Sequence, residues 1–147
     1  MARNETTINV PPERVFDVLM DTDCYGHWVV GSKEIRGADP DWPAVGSRFH
    51  HRVGVGPFTL DDHTQVEEID PPRRLKLRAR ARPLGTAMVT LELSPSGSGT
   101  HVTMIEDPAD PVTALIFSPL THFLTSRRND ESLRRLTKLA ESRPVAA

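Results

Sequence analysis

The amino-acid sequence predicts an α+β fold in which a curved antiparallel sheet grips one long C-terminal helix around an internal cavity. Three observations carry this. From about Ser32 to Asp107 the chain reads almost entirely as strands, cut by glycines and prolines at hairpin-like intervals. One long helical segment follows, opened by Ser118-Pro119 as N-cap and first-turn proline and closed at Arg143-Pro144. Along the strands, the residues on the apolar face grade from leucine to alanine. Leucines fill space and alanines leave it.

At the N-terminus Thr6, Ile8 and Val10 alternate with Glu5, Thr7 and Asn9, the two-residue period of a half-buried strand. Pro11 and Pro12 end it, and Pro12 suits the first position of a helix. From Glu13 to Met20 the apolar Val15, Phe16, Val18 and Leu19 mark a short amphipathic helix. A second helical turn is expected over Thr22 to Val29, ending at Trp28. Trp28 and Trp42 read as residues that close the core or a loop. Of the six strands that follow, the clearest is Leu75 to Arg82, with one apolar face and one basic face of Lys76, Arg78, Arg80 and Arg82. Acidic residues opposite that basic face make it a solvated surface.

The two-residue period also allows the hairpins to be registered, because a slip of one residue would turn every side chain over. A turn around Gly54–Pro57 predicts Val53 opposite Phe58, His51 opposite Leu60 and Phe49 opposite Asp62. The turn at Pro71-Pro72 predicts Val66 with Leu75, Thr64 with Leu77, and Asp62 with Ala79. A loop at 83–85 predicts Ala81 with Ala87, Ala79 with Val89, and Leu77 with Leu91. The Ser/Gly turn at 94–99 predicts Leu93 with Val102, Leu91 with Met104, and Val89 with Glu106. On the outer face this register sets Glu67 by Arg74, Asp61 by Arg80 and His50 by Asp61.

One end of the inner face then carries Val66, Leu75, Leu77, Leu91, Leu93, Val102 and Met104. The other carries Ala79, Ala81 and Ala87, with His51, Asp62 and Glu106 among them. The cavity is expected at this alanine end. The long helix agrees, since His122, Thr125, Ser126 and Asn129 precede Leu133, Leu136 and Ala140 along one face. Its polar half lies over the roomy end of the sheet.

At 147 residues the chain is expected to be a single domain, 1–147, with its core at about 3–142. A net charge of −2 argues against a nucleic-acid partner. Arginines outnumber lysines fifteen to three, a bias read as compositional. A lone cysteine, Cys24, excludes an internal disulfide and fits a reducing cytoplasm. No 18-residue apolar run suggests a membrane span, and MARNETTINV lacks the apolar core of a secretory signal. A cytoplasmic protein, monomer or homodimer, is the expectation.

With this order of elements the chain resembles the START/polyketide-cyclase-like (SRPBCC) superfamily, whose fold is called a helix-grip. The likeness rests on Pro12-Glu13-Arg14-Val15-Phe16, Trp28-Val29-Val30-Gly31 and the stretch Val66 to Leu75. Gly99-Thr100-His101-Val102-Thr103 and Ser132-Leu133-Arg134-Arg135-Leu136 complete it. The resemblance implies a cavity for lipids, polyketides, steroids, hormones or quinones, and it shares no catalytic motif across its members. No cofactor is expected.

His51, Asp62 and Glu106 could serve the cavity as acid, base or hydrogen-bonding groups, or could bond loop amides and water at its rim. His122, Ser126 and Asn129 share one helical face and offer hydrogen bonds to a ligand carbonyl or hydroxyl. Ala79 and Ala87 would line the apolar floor. A metal site is not expected, because His50 and His51 point to opposite faces and His50, His63 and Asp61 read as a surface ion-paired patch. Leu120, Phe123 and Leu124 lie off the cavity stripe and would pack on the loop 108–117 or at a dimer interface. The leading expectation is a binder of a small hydrophobic or aromatic molecule with one polar end. A polyketide cyclase, aromatase or dehydratase using Asp62, Glu106 or His51 is the alternative. A co-chaperone-like interaction domain acting through the outer sheet is a third.

Overall fold

The computed structural model describes residues 2–21, 24, 28, 32–55, 57–81, 85–108 and 119–142, and nine elements are set out among them. Within these, side chains are described except at 32–36, 53–55, 58–61, 80–81, 85 and 119–122. In chain order they are β1 (Ala2–Ile8), α1 (Pro12–Met20), β2 (Ser32–Ala38), β3 (Arg48–Val55), β4 (Phe58–Asp70), β5 (Arg74–Ala81), β6 (Gly85–Ser96), β7 (Gly99–Pro108) and α2 (Pro119–Ser142). The seven strands form one antiparallel sheet in the order β1-β7-β6-β5-β4-β3-β2. No helix among the described residues is long and apolar enough to cross a membrane.

The short helix forms as its sequence dictates. Pro12 stands at its start and Glu13 in its first turn, where a negative charge meets the positive end of the helix dipole. Val15, Phe16, Val18 and Leu19 are buried. At its far end the Trp42 indole N–H donates to the Met20 carbonyl at 3.0 Å, so Trp42 closes the β2–β3 loop onto α1. Of the second helical turn expected at Thr22–Val29, Cys24 and Trp28 are described and both are buried. The rest of that turn, and Ser118, lie outside the described residues.

The assignment of strand faces holds for the described side chains, whereas the register needs correction in three of the four hairpins. β6 and β7 pair as expected, with Leu93 opposite Val102, Leu91 opposite Met104 and Val89 opposite Glu106. Their turn is pinned by Gly97, whose φ of +59° suits glycine. At Gly99 a Cβ would meet the Ile8 carbonyl oxygen at 2.5 Å, so only glycine lets the chain pass so close to β1. Between β3 and β4 the ladder runs on to Val55 opposite Phe58, which sets Val53 by Leu60, His51 by Asp62 and Phe49 by Thr64. Between β4 and β5 a bulge at Glu67 intervenes, and Val66 meets Leu77 and Thr64 meets Ala79. Between β5 and β6, Ala81 meets Gly85, Ala79 meets Ala87 and Leu77 meets Val89.

Most of these are slips of two residues. They keep the described side chains on their expected faces and change their neighbours. The outer pairs change with them. Glu67 bonds Arg78 at 3.0 Å, Glu68 takes Arg74 and Lys76, Arg52 stands opposite Asp61, and His50 stands opposite His63. Asp39 accepts from His50 at 3.3 Å, and that bond holds its carboxyl below the ordinary aspartate range.

The core occupies the leucine end of the inner face. Leu75, Leu91 and Met104 lie side by side on β5, β6 and β7 under Leu133 and Leu136 of α2, all at most 6% exposed. The helix packs chiefly on β1 and then on α1. Its inward residues are Thr125, Asn129, Ser132, Leu133, Leu136 and Ala140.

Candidate functional site

Polar side chains gather at the opposite end of the sheet, and strand pairing brings the first of them together. His51 and Asp62 are direct cross-strand partners on β3 and β4, both on the inner face and both buried. Such partners hold their Cβ atoms about 5 Å apart, closer than the diagonal relation expected from the sequence. The His51 imidazole Nε2 shares a 2.9 Å hydrogen bond with the Thr64 hydroxyl, one step along β4 on the same face. Asp62 Oδ1 accepts the backbone N–H of His63 at 3.0 Å.

An aromatic row supports this cluster. The Trp42 ring meets Phe49 edge to face at 5.1 Å, and Phe49 lies 5.3 Å from the His51 ring. Because Trp42 is tied to the end of α1, the row runs from that helix to the histidine.

The next row across the inner face reads Phe49, Thr64, Ala79, Ala87 and Pro108. Ala79 and Ala87 are therefore partners of one another, and both keep partial exposure although they point inward. Glu106 lies one row closer to the core, in line with Ala2, Val89, Leu77 and Val66. The expected row of Phe49, Asp62, Ala79, Val89 and Glu106 does not exist. Glu106 meets β4 at Val66, four residues from Asp62, a separation of about 13 Å along the strands and about 14 Å across them if the sheet were flat. The two carboxylates cannot act as a dyad.

Glu106 has instead a partner that the sequence reading missed. Arg128 Nη2 on α2 donates to Oε1 and Oε2, each at 2.7 Å. The Glu106 side chain is 8% exposed and the Arg128 side chain 41%, so the pair spans the boundary between interior and solvent. Arg128 also donates to the side-chain oxygen of its neighbour Asn129 at 3.4 Å. Asn129 is 1% exposed. Ser126 is half-buried and faces β1, where its hydroxyl and carbonyl accept from the Asn4 amide. The side chains of His122 and Ala81 lie outside the described residues.

Two of the missed residues left a trace in the sequence. Thr64 and Asn4 are polar residues at positions whose alternation points inward, which is the signal a core position should not show. Arg128 left none, because it lies beside the inward stripe of α2 and reaches Glu106 by its length.

Among the described residues, clefts on the surface include two of about 360 and 310 Å³. The first runs between β1 and α2 past Glu5, Asp130 and Lys138, and the second past Asp70, Arg73 and Glu92. Both are edged by charged side chains and neither contains the residues above. The inner cluster, in contrast, combines an apolar floor with a few polar groups, the composition that holds and orients small apolar molecules.

This architecture recurs in solved structures of low sequence similarity. Protein MLL2253 from Mesorhizobium loti superposes with a TM-score of 0.71 at 19% identity, covering 98% of each chain. Ara h 8.0201 gives a TM-score of 0.73 at 11% identity, over 96% of this chain and 97% of its own. DynU16, encoded in the dynemicin biosynthetic locus, gives 0.67 at 16% identity over 96% of this chain and 47% of its own. No curated protein matches. The family profile described as "Polyketide cyclase / dehydrase and lipid transport" matches residues 2–141. With its helix-grip sheet and long C-terminal helix, this chain belongs to that family, within the START/polyketide-cyclase-like superfamily.

Proposed function

We propose that the protein binds a small hydrophobic or aromatic molecule with one polar end, between the alanine end of the sheet and the N-terminal half of α2. The observation that carries this reading is the Ala79–Ala87 pair. Both side chains point to the interior and both stay partly exposed, while the rows beside the core are closed. Small residues kept at two facing positions leave room that leucines would fill. His51, Asp62, Thr64, Asn129 and Glu106 are all buried polar residues, and on this proposal they stand around that room. Such groups would orient a ligand, and the family's description, which includes lipid transport, supports one of hydrophobic character.

Native mass spectrometry of freshly purified protein tests the proposal. A small-molecule adduct lost on organic extraction, together with uptake of an apolar fluorescent probe by the extracted protein, is the expected result. Absence of both would overturn it.

A second reading, an acid–base enzyme of the cyclase or dehydratase type, draws on the direct His51–Asp62 pairing. A buried imidazole beside a carboxylate and a hydroxyl is a chemically competent proton relay. On this reading His51→Gln abolishes turnover of a polyketide-like substrate while leaving its binding largely intact. For the binder, the same substitution changes affinity alone.

A further inference from the structure

The alanine pair has a polar neighbour whose position strand pairing fixes. Thr64 on β4 stands directly opposite Ala79, and Ala79 directly opposite Ala87, so the three side chains follow one another along a single inner row. Direct partners hold their Cβ atoms about 5 Å apart, and the Thr64 hydroxyl lies one bond beyond its Cβ. An apolar group resting on Ala79 therefore sits beside Thr64. On the other side of Thr64 the row closes on Phe49, which is 2% exposed.

This hydroxyl shares a 2.9 Å hydrogen bond with His51 Nε2, and Thr64 and His51 are 4% and 5% exposed. A threonine hydroxyl holds one hydrogen and two acceptor lone pairs, so its bond to the histidine leaves capacity unused. When Nε2 donates, the hydroxyl keeps its hydrogen for a carbonyl oxygen. When Nε2 accepts, the hydroxyl keeps lone pairs for another hydroxyl. The tautomer of the ring decides which of the two applies, and the threonine hydroxyl is uncharged in both.

The charges around this row disfavour an anion. Glu106, diagonal to Ala87 across β6 and β7, is held by Arg128 through both carboxylate oxygens. Asp62, the direct partner of His51, has a side chain 1% exposed and accepts the His63 N–H. A carboxylate brought between them would meet like charge on both sides, and the guanidinium of Arg128 is already engaged with Glu106.

We infer that the Thr64 hydroxyl, set by His51, is the polar anchor of the cavity and takes an uncharged oxygen of the ligand, a carbonyl or a hydroxyl. The ring system that carries this oxygen lies over Ala79 and Ala87, and ligands ending in a carboxylate are refused. His51 is a positioning residue in this scheme, because it fixes the direction of the hydroxyl. The inference rests on the cavity proposed above and deepens it by naming the ligand's polar end.

Four probes with one ring system separate the possibilities: 2-naphthol, 2-acetylnaphthalene, 2-ethylnaphthalene and 2-naphthoate. Each is titrated by fluorescence into the wild-type protein, Thr64→Val and Thr64→Ser, with circular dichroism and melting as controls for folding. Valine keeps the shape and removes the hydroxyl, so the affinities of the naphthol and the ketone relative to 2-ethylnaphthalene should fall about tenfold, the effect of one good hydrogen bond. Serine keeps the hydroxyl, and the same ratios should stay within about twofold of the wild type. The wild type should bind 2-naphthoate at least about tenfold more weakly than 2-naphthol. Comparing ratios between proteins cancels the probes' different solubilities in water. If valine disturbs the fold, Thr64→Ala carries the same test. Ratios that survive removal of the hydroxyl, an equal loss in the serine variant, or naphthoate bound as tightly as naphthol each overturn the anchor and leave the cavity reading standing. Failure of the wild type to take up any of the four overturns the cavity reading and the anchor with it.

Discussion

Leu75, Leu91 and Met104 lie side by side on adjacent strands, each 6% exposed or less, whereas four residues along β5 and β6 Ala79 and Ala87 face one another and remain half-buried. The strands, the two-residue period and the inward direction are the same at both ends. Side-chain volume differs between them, and along α2 the buried residues change in the same way, from Thr125 and Asn129 to Leu133 and Leu136. A hydrophobic pattern thus states which way a residue points, and residue size states whether the space it points into is filled.

The sharpest test of the packed end is Leu136→Ala. A leucine at 0% exposure in a closed core should cost about 2–5 kcal/mol when truncated, read from the denaturant midpoint. A loss below about 1 kcal/mol would mean that this end is as loose as the other.

Between the two ends stands the Glu106–Arg128 pair. Arg128→Met leaves a buried carboxylate without its donor and should destabilise the protein by about 2 kcal/mol, tempered by the exposure of the arginine. Adding Glu106→Gln should recover much of that loss, since the unpaired charge then disappears. A double variant no better than the single one would show that Arg128 stabilises through its stem and not through the ion pair.

At the roomy end Ala87→Leu should change stability by less than about 1 kcal/mol, because the added methyls enter open space, while uptake of an apolar probe is lost. A cost of about 1–3 kcal/mol, typical of overpacking, would erase the contrast with Leu136.

The smallest effect belongs to the surface, where neither end should matter. Hydrogen bonds from Arg134, and secondarily from Arg135, lower the Glu131 carboxyl to about 2 from its ordinary 4.5. A depressed carboxyl stabilises the fold above its unfolded pKa and loses that contribution as pH falls through the folded one. The stability difference between wild type and Glu131→Gln should therefore be present at about pH 6 and shrink between about pH 4.5 and about pH 2, as followed by denaturant titration. One molar salt should reduce it throughout.

Much of this molecule follows from local rules. The order of elements, Pro12 and Glu13 at the start of α1, the face of every described strand residue and the Gly97 turn of β6 and β7 all depend on chemistry within a few residues. The gradient from leucine to alanine was legible for the same reason, since period two survives any slip by two. That same invariance hid the pairing of His51 with Asp62 and of Ala79 with Ala87. A slip by two turns no side chain over, so the hydrophobic pattern cannot detect it. The choice fell to the β3–β4 turn, the bulge at Glu67 and the β5–β6 loop. Tertiary structure alone decided the contacts made across the grip, Asn4 with Ser126 and Asp130, and Glu106 with Arg128. These pairs join the first strand and the last to the helix, and the rotation of α2 about its own axis sets which of its side chains reach the sheet. The packing of Leu133 and Leu136 fixes that rotation, and no short-range signal in the sequence records it.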